Sequence, residues 1–234
     1  MQLKPIGVIR SCFASKFGTP RQGVLSPSSW AELILDPQVC PTGVLHDLDQ
    51  YSHLWLIAYF HQSGDNFSQG KIHPPRLNGK KVGVFASRSP HRPNPLGLTL
   101  ARIEEVQERS VLLSHVDLID QTPVLDIKPY IPEFDALPDA RIPEWLKRSS
   151  EAPEIAIIWN PDVQREVAAA QALRRWPAER FFLLVEEMLR SDPRPRVYRD
   201  MPEKIHIIQI EDWDFHFRWQ EDHFEVFRVV NLSK

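Results

Sequence analysis

Five runs of β-branched, aromatic and aliphatic residues follow one another in the first 119 residues with no helix-length amphipathic segment between them. They are Lys4–Ser11, His53–Phe60, Lys81–Ser87, Leu96–Val106 and Ser110–Ile119, each of strand length. Parallel strands need crossover connections, usually helices, so this order predicts a largely antiparallel barrel or sandwich and not a doubly wound sheet. The run "HLWLIAYF" has no polar alternation, which predicts a strand buried on both faces. "VLDIKPY" carries Pro129 near its end, which bars that residue from a central ladder position.

The texture changes between Pro138 and Pro153, where "PDARIPEWLKRSSEAP" mixes proline, charge and small polar residues as linkers do. We expect a mainly β domain over residues 1–140, a linker over 141–153 and a smaller α+β domain over 154–234. With 42% hydrophobic and 25% charged residues, the chain has enough apolar material for both. Asn160 and Pro161 form an N-cap and first-turn pair for a helix through Arg175, and Pro177 opens a second helix. In that second helix Phe181, Leu184, Val185, Met188 and Leu189 share one face and read as core. Trp213, Phe215, Phe217 and Trp219 alternate with polar residues at strand period. They also read as core, with base stacking as the alternative.

The formal net charge of −3 leaves any contact with nucleic acid to a local basic face. Cys12 and Cys40 stand alone, without metal-type spacing, which fits a reducing, cytoplasmic setting. No apolar run approaches the ~20 residues that span a bilayer. The G-x-G-x-x-G, P-loop, H-E-x-x-H and G-x-S-x-G patterns are absent and the nine histidines are scattered, so no metal is expected.

Polar clusters instead recur at the predicted strand ends: Lys16–Gly23, His61–Asp65, Pro74–Lys81 and Asp117–Pro132. Between Gly83 and Gly97 the chain reads "GVFASRSPHRPNPLG". There Arg88, His91 and Arg92 bring positive charge and donors, while Pro90, Pro93 and Pro95 stiffen the backbone. The loop is suited to hold an anion; a solvated basic loop is the plainer reading. One barrel mouth could gather these clusters into a ligand site.

Together "PIGVIRS", "KFGTPRQ", "YSHLW", "PPRLNGKKVGVFASRSPHRPNPLGL" and "DLIDQTPVLDIKPYIP" resemble the TsaA/TrmO family of tRNA methyltransferases over residues 4–135, and "SDPRPRVY" with the aromatic strands resembles the tail domain of its bacterial members. The resemblance implies a small β-barrel that binds S-adenosylmethionine without a Rossmann fold, as a homodimer with the site near the subunit interface. It implies methyl transfer to the exocyclic nitrogen of N6-threonylcarbamoyladenosine, immediately 3′ of the anticodon in tRNA. Carried onto this chain, the cofactor residues are Pro20, Arg21, Gln22, His61, Gln62, Arg88, Leu98, Asp117, Leu118, Ile119 and Asp120.

An arginine can grip the methionyl carboxylate, and an aspartate can receive the ammonium or the ribose hydroxyls. Methyl transfer then needs mainly in-line positioning, worth about 7–11 kcal/mol, and removal of the acceptor proton. His91, Asp117 and Asp120 are the candidates to take it, and Arg92 is the candidate for the threonyl carboxylate or a phosphate. Arg174, Arg175, Arg194, Arg196 and Arg199 are expected to contact RNA from the tail, so a chain ending near Ser150 should bind cofactor yet methylate tRNA poorly. Two other readings stay open: a non-catalytic nucleotide- or RNA-binding barrel, and a methyltransferase of this fold with a small-molecule acceptor.

Overall fold

The computed structural model describes residues 2–64, 67, 70–74, 77, 79–147, 155–171 and 176–233. Asp65, Pro75, Arg76 and Asn78 of the polar clusters, residues 148–153 of the anticipated 141–153 linker, and Arg174 and Arg175 lie outside the described residues.

Six strands close a barrel: β1 (Gly7–Ser11), β2 (Trp30–Leu35), β3 (His53–Tyr59), β6 (Leu96–Val106), β7 (Ser110–Ser114) and β8 (Thr122–Pro129). Their order around the barrel is β1, β2, β7, β6, β3, β8, and every neighbouring pair is antiparallel. Period two decides what fills the interior. Ile9, Leu33, Leu54, Leu56, Ala58, Ala101, Val111, Leu113 and Val124 point inward with no exposed surface.

Three expectations need correction. In β3 the alternate residues His53, Trp55, Ile57 and Tyr59 are only half-buried, because a closed barrel has one interior. Trp55 is covered there by the ring of Tyr130 at 5.7 Å, not by a second layer. The run Lys81–Ser87 supplies only β5 (Val82–Gly83), which pairs with β4 (Lys71–Ile72) outside the barrel. It then turns through a single 3-10 turn at Val84–Ala86, closed by Ser87, whose Oγ donates to the Val84 carbonyl at 2.7 Å. Finally, Ser110–Ile119 stops being a strand at Ser114, where His115 takes a left-handed conformation (φ 59°). β8 runs between β1 and β3, with Pro129 tolerated at its last residue, opposite Leu54.

The second sheet has the order β10 (His206–Ile210), β11 (Trp213–Gln220), β12 (His223–Asn231), β9 (Ala156–Trp159), with β9 parallel to β12. Helices α2 (Pro161–Gln171) and α3 (Ala178–Arg190) pack against it; the one-turn helix α1 (Pro132–Asp135) follows the barrel. Asn160 caps α2 through its Oδ1, which accepts from the Asp162 amide at 2.8 Å. The α3 stripe of Phe181, Leu184, Val185, Met188 and Leu189 is buried, as are Trp213, Phe215 and Phe217.

One hydrophobic cluster runs through both sheets. Trp30 of β2 meets Phe181 of α3 at 4.6 Å and Trp176 at 5.8 Å. Phe13 bridges to Ile210 of β10, and the Glu211 amide donates to the Cys12 carbonyl at 2.8 Å. The connection from β1 to β2, residues 12–29, therefore lies between barrel and tail.

Candidate functional site

Four chain segments converge on one end of the barrel, and a carboxylate is at their centre. Asp117 is a half-buried residue whose carboxyl sits deep in the protein, in the chain that leaves β7. Its Oδ1 accepts from Thr99 Oγ1 of β6 at 2.5 Å, and the backbone amides of Asp117 and Gly23 also donate to it. Burial raises its pKa above the ordinary 3.8, while those donors and the nearby Arg88 charge pull it back. Gly23 is required by space: a Cβ there would lie 1.8 Å from the His115 carbonyl oxygen.

Gln22 precedes that glycine, and its Oε1 accepts from Nη1 of Arg88, tying the Gly83–Gly97 loop to the β1–β2 connection. Within the loop, Arg92 lies over the ring of Phe85 at 5.8 Å, and its Nη1 reaches the Ser87 and Ser89 carbonyls at 3.5 Å. Arg88 and His91 are exposed, and Leu98 stands 58% exposed on the outer face of β6, next to Thr99. Arg21, Gln22, Arg88, Leu98 and Asp117 thus belong to one neighbourhood.

A second group lines an adjoining cleft of about 440 Å³, walled by Ser11, Ala14, His61, Gln62, Asp120, Gln121 and Glu211. Asp120 Oδ1 accepts from the Ser11 amide at 3.0 Å, and Lys16 Nζ donates to the Gln62 carbonyl at 2.5 Å. Two anticipated residues are less available: Leu118 is 1% exposed in the core and Pro20 is buried, so Leu118 offers a ligand only its main chain. Ile119 also packs against the core. Among the described residues, no three His, Cys, Asp or Glu side chains converge in a way that could hold a metal ion.

Thr99, Gly23 and Glu211 were not among the anticipated residues. Thr99 carries a readable signal, as the one polar side chain pointing inward in "LGLTLA". Glu211 carries none, because it comes from the second sheet, 181 positions from Trp30, whose Nε1 donates to its Oε1 at 2.8 Å.

The tRNA-methyltransferase O N-terminal domain matches residues 8–136, and the TrmO C-terminal domain matches residues 152–232. The chain belongs to the tRNA-methyltransferase O family. Relatives of this family include an Escherichia coli tRNA (adenine(37)-N6)-methyltransferase, 37% identical, with 97% of each chain covered. A Pseudomonas aeruginosa protein named as an S-adenosylmethionine-dependent methyltransferase is 38% identical over 99% of this chain and 97% of its own. A crystal structure of TrmO from Pseudomonas aeruginosa superposes with a TM-score of 0.80 at 34% identity, covering 99% of this chain and 98% of that one.

Proposed function

We propose that this TrmO family member is a cytoplasmic enzyme that uses S-adenosylmethionine to methylate the exocyclic nitrogen of N6-threonylcarbamoyladenosine at position 37 of tRNA. The observation that carries the reading is the joining of Gln22, Gly23, Arg88, Thr99 and Asp117 at one barrel end. A guanidinium and a buried carboxylate at the same barrel end suit a ligand that presents both a carboxylate and an ammonium. Relatives named for position 37 of tRNA and for S-adenosylmethionine support it.

Arg88 would grip the methionyl carboxylate, with Gln22 holding its fork in place. Asp117 would receive the ammonium or a ribose hydroxyl, and the cleft of His61, Gln62 and Asp120 would take the rest of the molecule together with Pro20, Arg21, Leu98, Leu118 and Ile119. When bound, the cofactor supplies an already activated methyl group. The chain's task is then to align the acceptor and remove its proton. His91 stands exposed on the same loop as Arg88 and is a candidate to take that proton, as are Asp117 and Asp120. Arg92 would hold the threonyl carboxylate.

Labelled cofactor tests the reading with two tRNAs that differ only in the threonylcarbamoyl group. A site built to pair a carboxylate should reject the tRNA lacking it by about 10⁴-fold. Equal transfer to both would overturn this substrate. Binding of cofactor without transfer to any RNA would favour a non-catalytic barrel, and transfer to a small acceptor would favour the third reading. Arg88→Ala should weaken cofactor binding by about 1.5–3 kcal/mol, and Arg88→Lys should not restore it, since a point charge loses the fork. Unchanged calorimetric affinity in both variants would remove Arg88 from the site.

A further inference from the structure

Two of the tail arginines that the sequence offers to RNA, Arg194 and Arg199, are engaged within the tail. Arg194 is 7% exposed, lies over the rings of Trp219 and Phe224 at 4.6 and 5.0 Å, and pairs with Asp192 at 2.8 Å. Arg199 pairs with the same carboxylate at 3.2 Å. The charge distribution offers a polyanion another surface.

Between β3 and β6, residues 61–95 hold six basic side chains (Lys71, Arg76, Lys80, Lys81, Arg88 and Arg92) against one acidic residue, Asp65, a balance of +5. The chain as a whole is −3, so everything outside this excursion is −8. Such segregation repels RNA from most of the surface and draws it to one place.

The lysines stand on the β4–β5 ribbon, outside the barrel. Lys71 lies opposite Gly83, and Lys81 immediately precedes Val82, the partner of Ile72. Lys71, Lys80 and Lys81 are all exposed, and none makes an ion pair among the described residues. The ribbon is not loose from the site. The Val84 amide donates to the Gly70 carbonyl at 3.0 Å, and four residues after Val84 the chain reaches Arg88.

We propose that the β4–β5 ribbon is the surface that receives tRNA, with Lys71, Lys80 and Lys81 on backbone phosphates, setting the acceptor base against the Arg88 cluster. The inference rests on the tRNA substrate proposed above. Lysine contacts to phosphate position an RNA without reading its sequence, so their loss should weaken binding evenly across tRNAs.

Titration of tRNA over a range of salt concentrations tests it, using the full chain and the triple variant Lys71→Ala/Lys80→Ala/Lys81→Ala. The triple variant should bind tRNA about tenfold or more weakly, with a log–log salt slope shallower by about 2–3, while cofactor affinity stays at the wild-type value. Arg199→Ala should leave the slope unchanged. Should the triple variant lose cofactor binding as well, Lys81→Gln alone is compared, and its slope should fall by about 1. Wild-type affinity and slope in these lysine variants would overturn the ribbon as the RNA surface. Wild-type protein that binds cofactor but no tRNA would instead overturn the substrate reading.

Discussion

Asp117 shows how a single residue ties pH to both stability and binding. Its carboxyl is buried, so the folded protein holds the proton more tightly than the unfolded chain does. The sign follows from that order. Below the ordinary value of 3.8 both states are protonated and the residue costs nothing; as pH rises from there through the raised native pKa, the fold loses stability. Asparagine keeps an oxygen for Thr99 and Gly23 but never ionises. Asp117→Asn should therefore melt above the wild type at neutral pH in the absence of ligand, an advantage that disappears toward about pH 3. If Asp117 meets a cationic group of the cofactor, binding expels its proton. Wild-type affinity should then fall as pH drops through the native pKa, and the variant should bind weakly with no such dependence. Parallel pH profiles for the two proteins, in melting and in calorimetry, would exclude Asp117 as the titrating contact.

At the scale of elements, the β1–β2 connection depends on α3. Arg180 Nε and Nη2 donate to the Ser28 and Ser29 carbonyls at 2.9 and 3.0 Å, and its guanidinium lies 4.2 Å from the centre of the Trp176 ring. Two turns along the same helix face, Glu187 accepts from the Ser28 hydroxyl at 2.7 Å and from its amide at 3.1 Å. Ser29 passes the constraint on, since its Oγ accepts from the Val116 amide at 2.8 Å, next to Asp117. At the other end of the connection Phe17 stacks on His206 at 6.2 Å, and Gly18, with φ +87°, abuts Met188 and Ile208.

The tail thus props the segment that carries Arg21, Gln22 and Gly23, and this changes the expectation for a chain ending near Ser150: it should lose cofactor affinity as well as activity. In the whole protein, Arg180→Ala and Glu187→Ala each remove about 1 kcal/mol or more of hydrogen bonding and should raise the cofactor Kd about fivefold or more, leaving tRNA affinity unchanged. Variants that melt lower but bind cofactor as wild type does would reduce α3 to a structural support. Nothing in the local sequence announces these contacts, because Ser28 and Glu187 are 159 positions apart. The α3 stripe was legible for the opposite reason, its period being local.

Across the whole molecule, what was legible follows the same division. Strand runs and the absence of crossover helices were enough for an antiparallel barrel. β2 was not singled out, because Glu32 and a serine-rich approach mask its alternation of Ala31, Leu33 and Leu35. Arg194 read as surface charge until the fold placed Trp219 and Phe224 beneath it. The site residues came from a resemblance, and the fold accounts for their proximity: every one except Leu98 lies in a connection between barrel strands.

One surface next to that proximity is still apolar. Phe85, Leu98 and Leu96 are 76%, 58% and 39% exposed beside Arg88. The homodimer implied by the resemblance would cover them, and light scattering should then return about twice the mass of one chain, falling to one with Leu98→Lys. A single-chain mass for the wild type would dismiss the dimer.

The bridge from Phe13 to Ile210 bears on how the protein could be divided. The barrel has no rim strand, but the tail sheet ends in β10, and Phe13 is the barrel's stopper on that rim. Made alone, the tail would present β10 without that stopper, its buried Ile208 and Ile210 beside an Ile207 that is 43% exposed even in the whole chain, as an edge on which further copies could add. Solubility of the second half is in this sense a property lent to it by the first.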